Sequence, residues 1–132
     1  MPGGPDIVDR LAENLMSLGV YVERGAREDD TVHVEYETAA DGLVQNDIGN
    51  VCVEVVDAHD EGWEPCDVHF WAFDTDGGFH GEWELRAGWL QALDNGNISE
   101  TDFSTLVLST REPAEDPPAT VPAWDADAES AQ

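Results

Sequence analysis

The sequence predicts an α+β domain, in the order α-β-β-α-β-β-α-α, with helices packed mainly on one face of a four-stranded, mostly antiparallel sheet. Three observations predict it. Two stretches, near 20–37 and 66–86, alternate apolar and polar residues at period two, as half-buried strands do. The stretch between them repeats apolar residues at helical spacing instead. And 132 residues with 41% hydrophobic content suit one modest core that folds without disulfides or metal.

The elements follow in order. Ile7, Val8, Leu11, Leu15 and Leu18 lie on one face of a helix over about 6–18, and Gly19 supplies the left-handed residue that ends it. Val20 and Val22 then alternate with Tyr21 and Glu23, and Val32, Val34 and Tyr36 with His33, Glu35 and Glu37. This reads as a hairpin around a polar loop from Gly25 to Asp30. A second helix is expected over about 41–61, from the stripe Val44, Ile48, Val51, Cys52, Val55, Val56 and His59, with Gly62 and Pro65 closing it. Residues 66–74 and 79–86 form a second hairpin around Thr75-Asp76-Gly77-Gly78, where Asp-Gly suits the primed turns that match strand twist. A short helix follows over 87–94, with Trp89, Leu90 and Leu93 inward. In "ISETDF", Ser99 is the N-cap of a last helix running to about 110, Asp102 takes the capping-box position, and Ile98 and Phe103 form the hydrophobic staple. From Glu112 onward the chain is rich in Pro, Ala and Asp and has little to bury. A single domain over 1–111 with a disordered tail over 112–132 is expected.

Charge narrows the function. Thirty acidic residues face five basic ones, all arginine, for a formal net charge of −25. The acids are spread along the whole chain, not gathered in a tail. Such a chain repels itself in dilute buffer and is screened in molar salt, where the Debye length is about 3 Å. The pattern resembles that of proteins working in molar intracellular salt; the alternative is an acidic partner-binding protein of an ordinary cell. Five scattered arginines make no stripe for phosphate neutralisation, so nucleic acid is not an expected partner. No run approaches the roughly 18 apolar residues of a membrane span, and the first residues lack a leader's basic and apolar regions. No membrane association and a cytoplasmic location are expected.

Catalytic motifs are missing. There is no GxSxG, phosphate-binding loop or dinucleotide fingerprint. Cys52 and His59 stand seven residues apart on one helix face, about 10 Å, too far for a dyad. Cys52 and Cys66 read as buried thiols. "DTDGG" fails the calcium-loop pattern, because Phe79 falls where the loop needs glycine and Leu85 where it needs glutamate. No cofactor is expected.

One constellation remains, in "HFWAFDTDGGFHGEWEL". Hairpin parity pairs 72 with 81, 70 with 83 and 68 with 85, which makes Val68, Phe70, Ala72, Trp83 and Leu85 a core face. Gly81 opposite Ala72 leaves room for a close helix approach. The other face gathers His69, Trp71 and Phe73 with His80, Glu82 and Glu84, and His33, Glu35 and Glu37 join it if the hairpins share a sheet. It reads as a solvated face, as a surface for a protein partner or for self-association, or as a metal site. The leading expectation is a non-catalytic binding or adaptor domain using His69, Trp71, Phe73, His80 and Glu82. The alternative is a metal- or small-ligand-binding enzyme using His33, His69 and His80.

The order "GVYVE…TVHVEYETA…DIGNVCVEVVDAHDEGW…DVHFWAFDTDGGFHGEWEL…GWLQAL…GNISETDFSTLVLST" resembles a group of small uncharacterised haloarchaeal proteins over about residues 18–110. The shared features are turns, caps and core positions, so the resemblance implies a fold and an organism class but no activity. More loosely, the element order is similar to that of secretion-chaperone-like α+β domains, which hold a partner segment and usually have five strands.

Overall fold

A computed structural model describes residues 7–28 and 31–114. The chain runs α1 (Ile7–Leu15), a 3-10 turn (Met16–Leu18), β1 (Val20–Glu28), β2 (Thr31–Thr38), α2 (Gln45–Asp60), β3 (Asp67–Asp74), β4 (Phe79–Leu85), α3 (Ala87–Asp94), α4 (Glu100–Leu108) and β5 (Glu112–Pro113). The α+β class stands, but the sheet has five strands in the order β1-β2-β3-β4-β5, not four. It is also mixed. β1–β2, β3–β4 and β4–β5 are antiparallel, whereas β2 and β3, the strands that join the hairpins, are parallel.

The parallel pair follows from the length of α2. Its 16 residues span about 24 Å at 1.5 Å each, close to the roughly 26 Å of eight-residue β2. The helix therefore returns the chain to the end of the sheet where β2 began, and β3 sets out in the same direction. The fifth strand comes from two residues assigned to the tail. Glu112 and Pro113 pair with Glu82 and Gly81, and Pro113 is tolerated because β5 is an edge. The expected disorder beyond residue 114 lies outside the described residues.

One core fills the space between the sheet and the helices. It takes Ile7, Leu11 and Leu15 from α1, Ile48, Val51, Cys52 and Val55 from α2, Leu90 from α3 and Phe103 and Val107 from α4. These pack on Val32, Val34, Tyr36, Val68, Phe70, Trp83 and Leu85 of the sheet. Every apolar residue that these helices bury belongs to this core, so among the described residues the opposite sheet face carries no helix.

Local signals set the boundaries. Ser99 Oγ accepts from Asp102 N–H at 3.1 Å and Asp102 Oδ2 accepts from Ser99 N–H at 3.1 Å, closing the expected capping box. α2 ends in a Schellman motif, in which Trp63 N–H donates to Ala58 O at 2.9 Å and Gly62 N–H to His59 O at 3.1 Å, with Gly62 at φ 115°. Its start is four residues later than expected, at Gln45. Asp47 in its first turn is buried and accepts from Thr38 Oγ1 at 2.5 Å, tying the helix to the end of β2. The polar loop expected over Gly25–Asp30 is instead mostly strand, since β1 continues to Glu28 past a bulge between Val22 and Arg24.

Gly81 makes room for a strand rather than a helix. At φ 136°, a Cβ on it would lie 2.4 Å from Glu112 O and 2.8 Å from Pro113 Cα, so the missing side chain lets β5 close on β4.

Candidate functional site

The helix-free face is built in three cross-strand rows. The register aligns Ala26, His33, His69 and Glu84 in the first, Arg24, Glu35, Trp71 and Glu82 in the second, and Tyr21, Glu37, Phe73 and Phe79 in the third. Alternation along β2 explains why. Val32, Val34, Tyr36 and Thr38 are buried toward the helices, so His33, Glu35 and Glu37 point the other way.

The rings form a stack across β2 and β3. His69 lies over Trp71 with centroids 4.5 Å apart, and His33 stands 5.9 Å from His69 and 6.4 Å from Trp71. Phe73 meets Phe79 at 5.0 Å. Trp71, Phe79, Ala26 and Phe73 make a small second apolar cluster, separate from the main core. Trp71 is only 9% exposed, so it is an anchor of this face and not its outer surface. Tyr21, 38% exposed, is the aromatic that the same face offers to solvent at its edge.

Carboxylates rim the rings. Because a carboxylate only accepts, His69 Nε2 carries the proton and donates to Glu82 Oε1 at 2.8 Å, while His69 Nδ1 lies 3.8 Å from Glu84 Oε1. Arg24 Nε donates to Glu35 Oε1 at 2.8 Å, and Arg86 Nε to Glu84 Oε2 at 2.6 Å. At the hairpin turn, Asp74 accepts from the backbone of Gly78 and of Asp76, both at 2.8 Å. These bonds, the Gly78 one foremost, hold its carboxyl below the usual range, with the charge of nearby His80 acting in the same direction.

The structure thus brings His33, His69, Trp71, Phe73 and Glu82 onto one face. His80 is placed differently. It is the extra residue of a bulge at which Phe73 pairs with Phe79 while Ala72 pairs with Gly81. The bulge turns Phe79 into the ring cluster and leaves His80 by Asp74. Parity counting missed Phe79 for this reason, and missed Ala26 and Arg24 because of the bulge in β1. Glycines beside each bulge (Gly25, and Gly78 and Gly81) were the available signal.

Two buried nitrogens of the region, Trp71 Nε1 and His80 Nε2, have no hydrogen-bond partner among the described residues. Among those residues, no group of three or more His, Cys, Asp or Glu side chains could hold a metal ion. Away from this face, His59 Nδ1 donates to Trp63 O at 3.2 Å, a helix-end contact. Burial pushes the Cys52 thiol up to about 12, which keeps it protonated and unreactive. No helix among the described residues is long and apolar enough to cross a membrane.

No curated protein and no solved structure matches the chain. A family model does match it, over residues 1–117, through both hairpins, all four helices and β5. The chain therefore belongs to the DUF8159 family, a domain of unknown function.

Proposed function

We propose that this chain is a non-catalytic binding module whose contact surface is the helix-free sheet face around Trp71 and Phe73. The observation that carries the reading is the arrangement of that face. A ring stack (His33, His69, Trp71) adjoins the apolar cluster of Trp71, Phe73, Phe79 and Ala26, exposed Tyr21 stands at the edge beyond Glu37, and four glutamates flank the rings. An apolar centre with a charged rim is the anatomy of a protein-binding surface. The rim is acidic, so the partner is a protein that presents basic side chains around an apolar group.

The setting is proposed with it. Thirty acidic residues against five arginines support a chain adapted to molar salt, in the cytoplasm of a haloarchaeon. In such salt, long-range steering is screened and the aromatic contacts dominate recognition.

The test is capture in molar salt, with the full chain immobilised and an extract of its cell of origin passed over it. The wild type should retain a protein that Phe73→Asp and His69→Ala both release, with near-UV circular dichroism showing each variant folded. A captured protein indifferent to both substitutions would contradict this surface.

A further inference from the structure

A groove of about 610 Å³ runs between α2 and α4, on the side of the molecule opposite the ring face. Gln45, Asn46, Gly49, Asn50 and Val53 of α2 and Ser104 of α4 line it with three neighbours. None of its lining residues is charged, in a chain of which 27% of residues are charged and the net charge is −25. Val53 is 58% exposed there, the most exposed of the large apolar side chains among the described residues. A Cβ built on Gly49 would meet nothing within 4 Å, so the helix backbone itself is open to an approaching surface.

We infer that this groove is the contact between two copies of the chain, related by a two-fold axis near Gly49. Charge selects the occupant. Two copies of so acidic a chain can approach closely only where carboxylates do not face each other, because like charges across an interface cost several kcal/mol. The groove meets that condition. Amides select it again: Gln and Asn each carry a donor and an acceptor, so a patch of them can pair with its own image across a two-fold. With the axis at Gly49, antiparallel α2 helices set Val53 of each copy on the aliphatic stem of Gln45 of the other. The absent side chain at Gly49 permits a short interhelical distance. Since α2 lies on the core side of the sheet, the dimer would point its two ring faces outward, in opposite directions. The inference does not rest on the proposed function of the ring face, and either can fail without the other.

Sedimentation equilibrium of the full chain in molar NaCl, from micromolar to millimolar, tests it. The wild type should show a monomer–dimer equilibrium. Val53→Asp places a like charge in each half of the contact and should raise the dissociation constant by about 100-fold or more. Gly49→Leu should do the same by holding the helices apart, and it favours helix, so it keeps the test valid if Val53→Asp folds poorly. A wild type that stays monomeric throughout overturns the inference and leaves the groove to a different protein. A dimer untouched by both substitutions, or one broken by Phe73→Asp instead, overturns it as well.

Discussion

Trp83 Nε1 donates a 2.9 Å hydrogen bond to the Tyr36 hydroxyl, linking β4 to β2 across the intervening strand. Phe70 of β3 fills the space between them, stacked on Trp83 at 4.1 Å and edge-on to Tyr36 at 6.3 Å. Both bonded residues are buried, and burial pushes the Tyr36 hydroxyl well above its ordinary range, so it stays protonated. Tyr36→Phe would leave the indole N–H buried without an acceptor. The expected loss is about 1–3 kcal/mol. Urea unfolding in molar salt should show a lower midpoint with an unchanged slope, because the packing and the area buried are nearly the same.

Gly81→Ala should be costly for a different reason. Its Cβ would meet the backbone of Glu112 and Pro113, which cannot move aside as a side chain can. Either β5 leaves the sheet or β4 distorts, at about 1–3 kcal/mol. Amide exchange separates this from a general loss of stability. The Ala114 N–H, which donates to His80 O at 3.1 Å, should lose its protection first, while the amides of β2 and β3 keep theirs.

Cys52 gives the fold an alkaline limit. Its thiol titrates near 9 in the unfolded chain and near 12 in the native one, because burial disfavours the thiolate. Between these values the unfolded state has lost the proton and the native state has not, so stability falls as pH rises through that window. Below pH 9 both states keep the proton and the effect vanishes. Cys52→Ala should flatten the alkaline slope of a denaturation series. In the native wild type at pH 8, a thiol reagent should label Cys52 only as fast as the domain opens.

Salt dependence tests the acidic composition. Lowering NaCl from molar to below about 0.1 M lengthens the screening distance from about 3 Å to beyond 10 Å and exposes the chain to its own repulsion. With a net charge of −25, the melting temperature should drop steeply over that range. A melting temperature that does not respond would remove the case for adaptation to molar salt.

Much of this architecture was legible because local rules agree with the fold. The periodic stripes gave the helices and strands to within a few residues, and the Ser99–Asp102 box was readable from two side chains at one spacing. The 70–83 and 72–81 pairs followed from the turn and parity alone. What was not legible is non-local. The parallel β2–β3 pair depends on where α2 delivers the chain, and β5 depends on an empty place beside Gly81. The ring face was half-legible for the same reason. Alternation placed His33, His69, Trp71 and Phe73, but each bulge shifts parity by one. Strict alternation therefore leaves out Phe79, Ala26 and Arg24, and His80 falls at the bulge itself, outside the regular pairing. Asp47 was missed because a carboxylate in the first turn of a helix reads as solvated until Thr38 is found beside it.

The central claim is that the ring face, not the helical side, receives a protein partner. Site-specific photocrosslinking in the cell of origin tests it most directly, with a photoreactive phenylalanine at Phe73 and, separately, at exposed Val53 in the α2–α4 groove. An adduct with a different protein is expected from position 73, and from position 53 only an adduct with a second copy of the chain. No adduct from position 73, or the same foreign protein captured from position 53 alone, would contradict it.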